Sequence, residues 1–534
     1  MATRRNRRRW YKSPPRRRDR EPAWCNTTVD GARRAASGHR AGRARANIDA
    51  TASARRSSRS AVRARTDRTP DTGNDSPYDT ALIPEETDAM NNRTIRPPLA
   101  PTRARTVLAA ALLCASAVAF AQALPTASPE SVGMSSERLS RIGTALKAEV
   151  DAGKLPGAVV MIARRGKLVY STAVGHRDPA GGAPMTTDAV FRIYSMTKPL
   201  VSVAAMMLVE DGKVQLTDPV SKFLPAFRGQ QVSVAQTDAE FAKINYTTVA
   251  AVREMTVHDL LRHTAGLAYG EITQNLPVKR AYEAAGIFKP AIDYDARDLA
   301  PDVQVARLAA APLVHQPGTV FEYSLASDVL GRVVEAASGM RLGDFLAARL
   351  FRPLHMTDTG FAVPAAARGR LATSFDKDPT TGQPFRLIDA SDTPAADSGG
   401  AGAVSTASDY LRFTQMLLDG GKVGGTRLLS RTTVALMASD HLGTRIAAPV
   451  TPGEMLLGTP GYTFGLGFAV RQGQGVAGVH GSAGEFMWAG YAGTYFWVDP
   501  KEQIVAVYLS QQPGASRQYY RRLVKNLTYQ AIAD

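Results

Sequence analysis

The sequence predicts an α/β body: one antiparallel sheet flanked by helices, with a mostly helical lobe beside it. Three observations carry this. Strand patterns occur near both ends of the folding region, at 158–171 and again between 462 and 509. The stretch between them, from about 215 to 420, reads mostly as helices and long loops. One run, Leu200–Val209, is apolar almost all round, which marks a buried central helix.

In chain order, the first element is a helix after Ser135-Ser136, with Leu139, Ile142, Leu146 and Val150 on one stripe and an end near Gly153. Ala158–Ala163 and Lys167–Ser171 then read as two strands joined through Arg165-Gly166. The central helix opens at Ser195 and closes at Gly212. Strand patterns return at Tyr462–Val470, Tyr495–Asp499 and Ile504–Leu509, and a terminal helix runs over about Arg517–Ile532. There is no internal repeat.

The formal net charge of +17 over 534 residues is unevenly placed. Residues 1–89 hold 21 Arg and Lys against 11 Asp and Glu, whereas residues 124–534 hold 40 against 37. The folding body is therefore nearly neutral, and nucleic acid is not an expected partner. The segment 1–89 has no apolar periodicity able to build a core, and reads as a disordered basic stretch or as mis-assigned upstream translation. From Met90 to residue 123 the order is four arginines, an apolar run Val107–Ala119, and small-x-small sites ending at Ala121 and Ala123. That order reads as a secretory signal peptide starting near Met90, and the run is shorter than the about 20 residues a membrane span needs. The expected localisation is periplasmic or secreted, in a bacterium, with no stable membrane anchor after cleavage. Both cysteines, Cys25 and Cys114, precede residue 124, so the expected mature body, 124–534, uses neither disulfides nor thiol chemistry.

Chemistry concentrates at Ser195-Met196-Thr197-Lys198-Pro199. Residues i and i+3 share a helix face, so Lys198 can reach the Ser195 hydroxyl and accept its proton. Pro199 suits a first helical turn, where its missing N–H costs nothing. A serine at this point also sits where unpaired backbone N–H groups can support a developing oxyanion. Taken alone the Ser-x-x-Lys spacing is weak, because about one or two such matches arise by chance in a chain this long.

Further segments raise its weight. Gln316–Leu325, with Tyr323-Ser324-Leu325, precedes a helix that contains Asp328; Ser398–Tyr410 is a glycine-rich loop running into a helix; Phe486–Pro500 contains Trp488-Ala489-Gly490-Tyr491. Together with Met255–Gly266 and the Ser195 segment, these resemble the serine β-lactamase-like family, nearest to the carboxylesterases that resemble class C β-lactamases. The resemblance runs from about 130 to the C-terminus. It implies a β-lactamase/penicillin-binding-protein-like fold and a serine hydrolase that needs no cofactor and no metal.

Carried over residue by residue, the resemblance makes Ser195 the nucleophile of an acyl-enzyme, with Lys198 and Tyr323 sharing the proton work. Neither is a base at its ordinary pKa of about 10, so burial or a neighbouring charge must lower one of them, and which of the two serves stays open. The backbone N–H groups of Ser195 and Tyr491 would form the oxyanion hole, and Trp488, Ala489 and Gly490 would contact substrate. Two departures bear on that substrate. Trp488-Ala489-Gly490 stands where β-lactamases usually have Lys-Thr-Gly, and Leu325 stands where they have the asparagine of Tyr-x-Asn. Both remove polar handles for β-lactams and peptides, so a small-molecule ester is the expected substrate, with transfer to another alcohol as an extension. A β-lactamase or D-amino-acid peptidase (D,D-carboxypeptidase) on the same fold is the alternative.

Other chemistries are absent from the sequence. There is no Gly-x-Ser-x-Gly, no His-Glu-x-x-His and no phosphate loop, and the eight histidines lack metal-ligand spacing. His480 and His263 are read as structural, His263 at a turn or helix end. The loops Tyr269–Pro301 and Leu442–Gly461 are expected to line the cleft.

Overall fold

The computed structural model describes residues 124–238, 243–289 and 297–534. The basic segment 1–89 and the signal sequence read at 90–123 lie outside the described residues.

Eight strands form one antiparallel sheet: β1 (Gly157–Arg164), β2 (Lys167–Asp178), β3 (Ala183–Pro184), β4 (Tyr462–Phe464), β5 (Ala469–Arg471), β6 (Phe486–Ala489), β7 (Tyr495–Asp499) and β8 (Ile504–Ser510). Their spatial order is β4-β5-β6-β7-β8-β1-β2-β3, so the two ends of the folding region meet at β8 and β1. That seam pairs Ala158 with Ser510 and Met161 with Val507. Every residue of β1 and of β8 is buried, which explains why both read as continuous apolar runs instead of alternating ones.

Five longer helices matter to the site: α1 (Ser136–Asp151), α2 (Thr197–Glu210), α3 (Ala326–Ser338), α4 (Ala407–Leu418) and α5 (Ser516–Tyr529). Helix α1 starts where Ser135 caps the Arg138 N–H, and its Leu139, Ile142 and Leu146 are buried. It packs on β2 and against α5, while α4 packs on β1, β7 and β8. Helix α2 is buried along Thr197–Leu208 and packs against α3. Removing each of its large apolar side chains from water contributes about 1.5–3 kcal/mol, so this helix is anchored as a rigid post.

Two expectations need correction. The strand expected over Tyr462–Val470 is two strands, β4 and β5, folded back on each other with Thr463 opposite Val470. The turn between them contains Gly467 at φ 89°, where a side chain would collide with Ser202 of α2. The middle region is also less purely helical than expected, since Gln231–Asp238 and Lys243–Ala250 form an antiparallel pair. Its β-branched residues are largely exposed, Ile244 and Val249 among them, so it lacks the buried face that makes a strand pattern stand out.

Candidate active site

Ser195 sits in a 3₁₀ turn, Tyr194–Met196, that leads directly into α2. Within 191–200 it alone is not fully buried. Tyr194, immediately before it, holds φ at 45°, a conformation that costs a non-glycine residue about 1–3 kcal/mol and persists only where neighbours impose it. The neighbours are identifiable. The Tyr194 hydroxyl accepts from the Ile388 N–H at 2.9 Å, Tyr410 of α4 donates to the Met196 carbonyl at 2.9 Å, and Thr197 accepts from the Ala403 N–H at 3.0 Å. On the other side Thr494 donates to the Ile193 carbonyl at 3.2 Å. Gly490 lies so close to this carbonyl that a side chain there would collide with it.

Lys198 and Tyr323 converge on the serine. Tyr323 Oη donates to Ser195 Oγ at 2.6 Å, and Lys198 Nζ donates to the same oxygen at 3.2 Å. Lys198 is 1% exposed. Its Nζ also reaches Tyr269 Oη at 3.0 Å and the Gly400 carbonyl at 2.8 Å, and it lies 4.6 Å from the centre of the Tyr323 ring. Burial lowers its pKa from 10.5 to about 7, with the Asp328 charge pulling the other way. Asp328 is held by Ser398 Oγ at 2.6 Å and the Gly400 N–H at 3.1 Å, so it supports the same loop that receives the lysine. A buried amine near neutrality, one hydrogen bond from a hydroxyl, is a competent general base.

Tyr323 is packed from three sides, by His263 at 5.1 Å, Tyr269 at 5.2 Å and Trp488 at 5.6 Å between ring centres. His263 follows the short helix Val257–Leu261, is buried, and shares a 3.1 Å hydrogen bond between Nδ1 and Ser324 Oγ. Burial, reinforced by the Lys198 charge, holds its pKa well below the usual histidine value, so it is a neutral packing partner. His480 is remote from these groups and bonds Asn526.

The cleft before Ser195 is a half-open pocket of about 100 Å³ bordered by Ser195, Ile272, Tyr323, Met455, Leu456, Ala489, Gly490, Tyr491, Arg517 and Arg521. Ile272 and the Met455-Leu456 pair come from the two loops expected to line it. Leu325 is buried at the start of α3. Trp488 departs from expectation: its side chain is fully buried on β6, packed against Tyr323 and Phe464, and cannot touch a molecule in the cleft. Only Ala489 and Gly490 of that triplet border it. The surface is also not purely apolar, because Arg517 and Arg521 reach it from α5. Nothing local in the sequence marks Tyr269, Asp328 or these two arginines as part of the site. A larger cavity, lined by Phe223, Val305, Arg332 and Met340, lies elsewhere and contains no hydroxyl nucleophile beside a base. Among the described residues no group of three or more His, Cys, Asp or Glu side chains could hold a metal ion.

Comparison with known proteins matches this architecture. A family model described as Beta-lactamase matches residues 142–529. Protein Rv1367c of Mycobacterium tuberculosis is 38% identical, over 68% of this chain and 87% of its own length. Esterase EstB of Burkholderia gladioli is 32% identical, over 65% of this chain and 83% of its own. The solved structure of EstCE1, described as a hydrolase with promiscuous acyltransferase activity, superposes with a TM-score of 0.60 at 29% identity, covering 74% of this chain and 99% of EstCE1.

Proposed function

Because the chain belongs to the beta-lactamase family, as an enzyme of its serine esterase and acyltransferase type, we propose that it cleaves small carboxylic esters through an acyl-enzyme on Ser195. The observation that carries this is the convergence of Tyr323 Oη and Lys198 Nζ on one serine oxygen, at 2.6 and 3.2 Å.

In the attacking state Lys198 is neutral, which its pKa of about 7 permits for about half the molecules at neutral pH. Ser195 Oγ bonds to the ester carbonyl carbon and its proton passes to the lysine amine. The carbonyl oxygen becomes an oxyanion facing the backbone N–H groups of Ser195 and Tyr491. Collapse expels the alcohol, which takes its proton from Tyr323, and Tyr323 is recharged from the lysine ammonium. Water then attacks the acyl-enzyme by the reverse proton route and releases the acid, while Ser195 regains its proton. A second alcohol in place of water gives acyl transfer, the activity stated for EstCE1.

Ester preference follows from the buried Leu325 and from Ala489-Gly490, which offer no side-chain amide or cation to a β-lactam or peptide. The test is hydrolysis of a short-chain p-nitrophenyl ester beside a chromogenic cephalosporin. We expect ester kcat/KM to exceed cephalosporin kcat/KM by at least about a hundredfold. The β-lactamase or D-amino-acid peptidase reading draws on one observation, the half-buried Arg517 bordering the cleft, whose guanidinium could meet a substrate carboxylate. Preferred cephalosporin cleavage would favour it.

A further inference from the structure

Tyr491 lies in a tight turn that the Gly493 N–H closes on the Gly490 carbonyl at 3.2 Å. Two arginines, one turn apart on α5, grip this turn. Arg521 is 2% exposed; one terminal nitrogen donates to the Gly490 carbonyl at 2.6 Å and the other to the Leu456 carbonyl at 3.0 Å. Arg517 donates to the Tyr491 carbonyl at 3.1 Å and lies 5.1 Å from the centre of its ring.

The Gly490 carbonyl and the Tyr491 N–H are opposite edges of one planar trans peptide, so a donor that fixes the carbonyl also fixes the N–H. The bond from a guanidinium is charge-assisted and polarises the amide, which makes its N–H a stronger donor. Burying a guanidinium is costly, and an apolar side chain would fill this inward-facing helix position without that cost.

We propose that Arg521 is a positioning residue for the oxyanion hole. By holding the Gly490 carbonyl it aims the Tyr491 N–H at the oxygen that becomes negative when Ser195 attacks, while Arg517 secures the far side of Tyr491. This rests on the acyl-enzyme reading of Ser195.

The experiment compares wild type, Arg521→Met, Arg521→Lys and Ser195→Ala on a p-nitrophenyl ester and its thionoester, whose sulfur is a poor hydrogen-bond acceptor. Arg521→Met is expected to lose about a hundredfold in kcat for the oxygen ester, comparable to removing one oxyanion donor. Its KM stays within about threefold, the pattern of an interaction made only in the transition state. The preference for oxygen over sulfur falls in the same proportion, and Arg521→Lys, which restores one donor, recovers part of both. Full kcat in folded Arg521→Met overturns the proposal, as does a loss of kcat with the oxygen preference intact. If the methionine variant does not fold, the lysine variant decides by the same preference. A Ser195→Ala variant that keeps ester turnover would remove the acyl-enzyme reading itself. An inactive Ser195→Ala beside a fully active Arg521→Met removes only the role of the arginine.

Discussion

Replacing Lys198 by methionine is expected to cost at least about a thousandfold in ester kcat/KM, the range of a lost general base. It should also shift the stability balance toward the variant as pH falls. Methionine matches the buried stem as far as Cε, so what is lost is the amine beside Ser195 Oγ. The pH dependence follows from linkage. In the folded protein Lys198 releases its proton near pH 7, and in the unfolded chain it keeps it to about 10.5. Between these values the unfolded state binds more protons, so stability rises with pH; below pH 7 the buried ammonium burdens the fold fully. Methionine carries no such burden, although it leaves the Gly400 carbonyl and Tyr269 without their lysine partner. The Tm of the variant minus that of the wild type should therefore be more positive at pH 6 than at pH 9. Wild-type kcat/KM should rise with pH through a midpoint near 7. An equal Tm difference at both pH values, or a rate independent of pH between 6 and 8, would show that Lys198 does not titrate as its burial requires.

Tyr323→Phe is the second large effect. The substitution keeps the ring that packs between His263, Tyr269 and Trp488 and removes only the hydroxyl 2.6 Å from Ser195 Oγ. We expect kcat to fall by about a hundredfold to ten-thousandfold, with KM for a neutral ester changed little, because in the proposed mechanism the phenol moves protons and does not hold bound substrate. Steady-state kinetics beside a thermal melt separates this from a packing defect. A loss below tenfold, or one accompanied by a large drop in Tm, would mean that the phenol supports the fold more than the reaction.

Much of this site was legible because its central pair is local. Ser195 and Lys198 are three residues apart at the mouth of an all-apolar helix, and both the spacing and the burial are written in one short segment. Tyr323 was reachable only through the order of motifs, since nothing local ties it to a serine 128 positions away. Tyr269 and the α5 arginines left no signal, because their contacts join loop to loop and helix to turn across the fold. Trp488 misled for a related reason. In a strand, alternate residues face opposite sides of the sheet, and the sequence does not say which side of β6 is the cleft. Of its residues, Ala489 faces the cleft while Trp488 turns into the core behind Tyr323. The sheet seam between β1 and β8 was foreseeable from apolar runs at both ends of the folding region. The break between β4 and β5 was not, because it depends on how close Gly467 comes to Ser202 of α2.

If Ser195 carries the acyl group, a reagent that mimics the acylation step should be trapped on it covalently. The intact enzyme would be treated with a p-nitrophenyl alkylphosphonate and analysed by mass spectrometry, with ester activity followed in parallel. We expect one phosphonyl group per chain, on the peptide containing Ser195, appearing in step with the loss of activity and absent from Ser195→Ala. Inactivation with the label on another residue, or equal labelling of Ser195→Ala, would rule out Ser195 as the acyl carrier.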